Sequence, residues 1–245
     1  MKTMKQIRVL VLVILFTGFS GLLTGCNAMP GGVRGDGNVL KETRQVSSFS
    51  EVDISGAFDI VLRQGDKEEV VVEADANLLP VIRTEVTGST LKIDTRRPVR
   101  NPEVLRVYIT FRDLKMIDAS GAVDLRSEGI LKLSDLSIDA SGASDSKLDI
   151  EVNRLKLDCS GASKLRFSGT AGTIEMDLSG ATDIFAYDLV AESCSIEISG
   201  AGNAQVHATK KIRADISGAG SIKYKGSPSD IDQRVSGAGS IRRAD

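Results

Sequence analysis

The residues with the strongest claim to chemistry are carboxylates that recur. Asp53, Asp118, Asp139, Asp158, Asp177, Glu197 and Asp215 each stand two positions before the Ser of a Ser-Gly-Ala tripeptide. Like charges stacked at strand spacing repel, so something should offset their cost. Three offsets are open. The oxygens could accept hydrogen bonds from nearby amides or hydroxyls. They could pair with basic residues of neighbouring repeats, or they could gather a hard cation such as Ca²⁺. Asp118, Asp139, Asp158 and Asp177 occupy the most regular stretch and are the candidates for a weak cation or ligand face. A looser basic row, Arg126, Lys147, Arg166, Lys223 and Arg242, stands six positions after the same serines, and Phe58, Val61 and Phe185 are candidates for an exposed contact patch.

Catalysis is poorly provided for. Cleaving a glycosidic bond requires one distinguished acid–base pair at a defined separation, whereas these acids form a monotonous row. His207 is the single histidine, which leaves no Ser-His-Asp set and, with only three cysteines, no nitrogen–sulfur metal centre. Trp is absent, and Tyr108, Tyr187 and Tyr224 are the only tyrosines. No cofactor, metal site or catalytic residue is expected. A polysaccharide lyase or hydrolase ranks behind a binding module and behind an envelope scaffold without a ligand. A formal net charge of −2 gives no bulk affinity for nucleic acid.

These side chains are positioned by a repeat. Ser-Gly-Ala begins at Ser55, Ser120, Ser141, Ser160, Ser179, Ser199, Ser217 and Ser236, with steps of 18 to 21 residues from Ser120 onward. A period that short and regular means one coil of a solenoid per repeat. Apolar residues alternate before each Ser (Leu155, Leu157, Cys159; Ile174, Met176, Leu178; Cys194, Ile196, Ile198), the pattern of strands with one buried face. Cys159 and Cys194 fall in different inward columns about two coils apart, too far for a disulfide. They read as small buried hydrophobes. The fold class is therefore all-β: a single parallel β-helix of about 19–20 residues per coil, with corners at Gly121, Gly142, Gly161, Gly180, Gly200, Gly218 and Gly237. At a corner Gly turns the chain at low cost and Ala is small enough to stack.

The chain divides into three parts. In residues 1–25, Lys2, Lys5 and Arg8 precede the apolar run Val9–Phe16, as in a signal peptide. The closing Leu23-Thr24-Gly25-Cys26 resembles a bacterial lipobox, which implies cleavage before Cys26 and lipid attachment to it, hence a membrane partner through acyl chains. Residues 26–45, with Pro30, Gly31, Gly32, Gly35 and Gly37, read as a flexible tether. Residues 46–245 form the β-helix domain: irregular N-terminal coils over 46–115, regular repeats over 116–245. The 65 residues between Ser55 and Ser120 equal close to three coils, and Thr87-Gly88-Ser89 predicts a tight turn between two strands.

The repeats, in variants such as Ile198-Ser199-Gly200-Ala201-Gly202-Asn203 and Val235-Ser236-Gly237-Ala238-Gly239-Ser240-Ile241, together with the closing Tyr224-Lys225-Gly226-Ser227-Pro228, resemble the auto-transporter adhesin, head GIN domain family over residues 48–243. The resemblance implies a right-handed parallel β-helix in an envelope lipoprotein or secreted protein, adhesin-like and non-enzymatic. Its surface would meet an extracellular glycan or protein, most simply from the outer membrane. It implies no catalytic residues, and the oligomeric state stays open. The anchoring expectation has a direct check. Cys26→Ser should move the protein from the membrane to the soluble fraction, and unchanged membrane association would contradict lipidation.

Overall fold

Alternating apolar residues drive the chain into strands whose inner faces line one continuous core. The structure, a computed structural model, describes residues 31–244. Cys26, the signal peptide and the first residues of the expected tether lie outside the described residues. The N-terminal third comprises β1 (Val33–Arg34), β2 (Val39–Arg44), β3 (Glu51–Gln64), β4 (Glu69–Asp75), a 3-10 turn at Leu79–Val81, β5 (Ile82–Thr87), β6 (Thr90–Thr95), β7 (Val99–Arg100) and β8 (Leu105–Phe111). The remainder is a parallel stack: β9 (Met116–Ser127), β10 (Leu131–Cys159), β11 (Ala162–Leu178), β12 (Asp183–Ile198), β13 (Asn203–Ile216), β14 (Ser221–Lys225), β15 (Asp230–Val235) and β16 (Ser240–Arg243). Together they make a β-solenoid of about 6 turns.

Within a coil, buried positions run Leu155, Leu157, Cys159, then Ser163, Leu165, Phe167, then Ala171, then Ile174, Met176, Leu178. The period-two alternation breaks three times per coil, so each coil turns three corners. One side, which carries the carboxylates, precedes Ser-Gly-Ala; a second, the basic side, follows it. Both are registered with the coils above and below, as in Asp158 against Asp177 and Lys147 against Arg166, apart from slips on the second side after Arg166 and after Ala186.

At the Ser-Gly-Ala corner the glycines lie directly over one another. Gly56 is registered with Gly121, and Gly121 with Gly142. A Cβ added at Gly161, Gly180, Gly200 or Gly218 would fall under 3.0 Å from the carbonyl oxygen of the glycine one coil below. The reason for glycine thus differs along the column. Gly142 has φ +132°, which other residues rarely adopt, whereas Gly161, Gly180, Gly200 and Gly218 lie outside that region. At those four, close approach of backbone to backbone excludes a side chain, rather than the strained turn that a corner suggests.

The first part of the domain departs from expectation in two places. The 65-residue gap does not hold nearly three coils. β3 pairs directly with β9 along its length, Ser55 opposite Ser120, and the intervening chain folds as a cap on the other edge of β3. β6 covers its first half (Glu51–Ile54 against Thr90–Ile93) and β8 its second (Asp59–Gln64 against Arg106–Phe111). The cap then turns antiparallel, β5 on β6 around the predicted turn at Gly88, and β4 on β8. An open solenoid end exposes unpaired backbone, and this cap removes it.

The second departure is the tether. Residues 33–44 are ordered into the domain: β1 pairs with β7, and β2 pairs antiparallel with β4. The clasp is Asp75, fully buried, whose carboxylate accepts from the amides of Gly37 (2.5 Å) and Glu103 (2.9 Å). Burial works to raise its pKa, but these amide donors outweigh it and hold the carboxyl below its ordinary value. Glycine-rich composition mimicked a linker because Gly35 is needed where a Cβ would meet Asp75 Oδ1.

Replacing Gly180 with Val should destabilise the domain by about 2 kcal/mol or more, lowering the melting temperature by about 4–8 °C. An unshifted melting curve would contradict the close stacking at this corner.

Candidate functional site

The basic row of the second side shares one column with Phe185 and Gln205. Lys147 is registered against Arg126 and Arg166, Arg166 against Phe185, Phe185 against Gln205, Gln205 against Lys223, and Lys223 against Arg242. Six steps at strand spacing extend this column over about 29 Å. Arg166 Nη1 lies 2.6 Å from Asp145 Oδ1, and its guanidinium stands 5.4 Å from the centroid of the Phe185 ring. Among the described residues, Arg126, Lys147, Lys223 and Arg242 enter no ion pair. They are therefore available to an outside anion.

Midway along this side the regular register slips. Ala186 is opposite Val206, but the next residue of β13, His207, is opposite Val190, so β12 carries an excess around Tyr187. The bulge presents Tyr187 on the surface, with Lys225 Nζ 4.6 Å from its ring centroid and His207 Nδ1 3.4 Å from its carbonyl oxygen. Partial burial pushes the Tyr187 phenol above its ordinary pKa. Elsewhere on this side a depression of about 260 Å³ is walled by Phe185, Gln205 and Lys223, and Tyr187 is not part of its lining. Its far rim is tied together: Asn203 Nδ2 donates to Asp183 Oδ1 (2.8 Å) and Ser221 Oγ donates to Asn203 Oδ1 (2.6 Å).

This arrangement suits recognition. Aromatic rings offer a face for the apolar side of a sugar or for a partner's side chain, amides and hydroxyls can read polar groups, and cations can attract acidic ones. Asp183 is the only carboxylate lining the depression, whereas glycosidic cleavage uses two. Of the contact-patch candidates, Phe185 and Val61 stand in this outer column, but Phe58 is buried in the core. Tyr187 and Gln205 were not picked out by the repeat pattern. A bulge has no signature in a column alignment, and Gln205 breaks the basic row it belongs to.

The carboxylates form a second ladder, on the side before the corner. Asp53, Asp118 and Asp139 are mutually registered, as are Asp158, Asp177, Glu197 and Asp215, the last facing Arg234. None of the seven accepts a hydrogen bond or joins an ion pair among the described residues, so neither of those offsets operates. Nor does any group of three or more described His, Cys, Asp or Glu side chains approach a metal-binding arrangement. The ladder is tolerated because water and salt screen exposed carboxylates. The strain surfaces at Asp118, whose pKa is raised by partial burial and then by Asp53 and Asp139.

The cysteines lie inside the solenoid. Cys159 and Cys194 are buried and unbridged. Burial pushes both thiols up to about 12, with Asp158 and Asp139 adding to the effect at Cys159. Thiols held protonated in this way are poor nucleophiles and poor metal ligands.

A capped parallel solenoid with repetitive outer faces defines the class of protein. The family model described as "Putative auto-transporter adhesin, head GIN domain" matches residues 48–228, and the chain belongs to that family. Among solved structures it is similar to a "putative adhesin" of Bacteroides fragilis NCTC 9343, at 26% identity over 87% of this chain and 100% of that one, with a TM-score of 0.80. Two proteins of Parabacteroides distasonis ATCC 8503 share the fold. One, described as a "putative lipid binding protein", is 24% identical over 88% of this chain and 100% of its own, with a TM-score of 0.70. The other, described as a "putative adhesin", is 23% identical over 87% and 100%, with a TM-score of 0.68. No protein of curated function matches the chain.

The Asp118 pKa carries a sign. A raised carboxyl pKa contributes stability below the unfolded value of 3.8, and that contribution is lost as pH rises through the folded value. At neutral pH, Asp118→Asn should therefore raise stability by about 0.5 kcal/mol. The gain should shrink in high salt, and a loss of stability in thermal melts would show that the ladder carboxylates are held by partners.

Proposed function

We propose that this protein is a non-enzymatic, adhesin-like lipoprotein of the bacterial cell envelope, anchored through Cys26. Its basic side binds a glycan or a glycosylated protein surface. The observation that carries this reading is the depression beside Phe185, where an aromatic ring, an amide and a lysine converge in a column that also holds Arg126, Lys147 and Arg242, cations without an ion pair among the described residues. Family membership supports the adhesin-like character. The lipobox supports the anchor, and the ordered strands from Val33 shorten the lead between anchor and domain to a few residues. The long face supplies many weak contacts in register, so an extended ligand gains by avidity what the shallow depression lacks in depth.

The test is binding of the Cys26→Ser chain to arrays of acidic glycans, neutral glycans and glycoproteins. Acidic ligands should bind in a salt-sensitive manner, and Phe185→Ala or Lys223→Ala should weaken them by about tenfold or more. Uniform absence of binding would leave a scaffold without a ligand. Turnover of an arrayed sugar would replace the reading with a lyase or hydrolase.

A further inference from the structure

The two ends of the solenoid are built differently. The N-terminal edge of β3 is covered by β6 and β8, and those in turn by antiparallel strands. At the other end β15 pairs only with β13, and β16 only with β14. The residues of β15 in the inward columns are Ile231, Gln233 and Val235. Their counterparts one coil earlier, Ile212, Ala214 and Ile216, are buried, whereas Ile231 is 50% and Val235 46% exposed. A partly apolar face and a row of backbone groups thus end in solvent, the situation that invites another strand.

The phase of the hydrogen bonds says which groups are on offer. Ser236 donates to Ile216 O, and the same bond recurs one coil earlier from Ser217 to Ile198 O. Ser and alternate residues before it therefore turn their amides toward the preceding coil, and the intervening residues turn theirs away. At the open end these are Ile231, Gln233 and Val235.

We infer that a second copy of this chain covers the open end, its β15 pairing antiparallel with the first about a two-fold axis at Gln233. A head-to-tail stack would find no parallel coil to receive β15, because the capped end presents the antiparallel strands β2 and β5 at its edges. In the symmetric arrangement Gln233 meets Gln233 of the other copy, Ile231 meets Val235, and Asp232 meets Arg234, twice over, exchanging the 3.3 Å contact that Arg234 makes with Asp232 of its own chain. Apolar residues stay inward and opposite charges face outward. Charge selects this register. Sliding the centre to Asp232 puts Asp232 against Asp232, and sliding it to Arg234 puts Arg234 against Arg234, each a like-charge pair. Gln233, the one polar residue in its column, gains an amide partner across the axis. An isologous contact of this kind closes at two copies instead of growing into a fibre. It also leaves the two capped ends, where the described chain enters at Val33, at opposite extremes of the pair. If each is anchored as proposed above, the contact joins two facing membranes.

Sedimentation of the Cys26→Ser full chain tests this independently of any glycan. A reversible monomer–dimer equilibrium is expected, and a strictly monomeric chain overturns the inference. Arg234→Asp sets a second carboxylate against Asp232 in both pairs and should weaken the dimer by at least about tenfold. The double exchange Asp232→Arg with Arg234→Asp restores opposite charges and should restore the dimer. Circular dichroism melts confirm that each variant folds. In addition, Gln233→Cys should oxidise to a covalent dimer while Arg213→Cys, one coil in, should not. A dimer indifferent to both charge variants, or equal cross-linking at the two positions, rejects the β15 contact.

Discussion

The fold rests on how closely two backbones can pass. At the Ser-Gly-Ala corner each coil lies on the carbonyl of the glycine beneath it, with no room for a methyl group between. That contact keeps successive coils at strand spacing through the corner, so hydrogen bonding continues where a β-sheet would ordinarily fray. Ala181, Ala201 and Ala219 each donate to the glycine one coil below, at 3.0, 3.1 and 3.0 Å. Because the corners stack, the sides stack as well, and every outward position becomes a column. Both surface ladders, acidic before the corner and basic after it, are consequences of that one spacing.

Columns magnify small sequence choices. Seven carboxylates with neither hydrogen-bond nor ionic partners among the described residues would be a liability in a core, but on an outer face screening makes them cheap. On the basic side the same geometry aligns cations with Phe185 and Gln205, which wall a depression together with Lys223. The regular positions stabilise the solenoid, and the irregular ones distinguish one stretch of its surface from the next.

Most of the stack was legible because it is local and periodic. The tripeptide marks corners, and apolar alternation marks inner faces, so the interior places of Cys159 and Cys194 follow from counting. The cap was not legible for the converse reason: β3 meets β9 across 65 residues, and nothing between them carries a period. Length divided by coil size then suggests coils where a hairpin and an antiparallel sheet stand. Residues 33–44 misled through composition, since their glycines serve turns and a close contact with Asp75 rather than flexibility. In the candidate site the basic row was readable. The roles of Tyr187 and Gln205 depend on a bulge and on a neighbour's ring, which only coordinates disclose.

Amide hydrogen exchange at Ala181, Ala201 and Ala219 probes the glycine column most directly. If the corners are closed by backbone contacts, these three amides exchange only with global unfolding, as slowly as the core amides of β11 and β12. Exchange at the rate of the open turn at Gly129 would mean that the corners do not stack, and the account of both outer faces would fall with them.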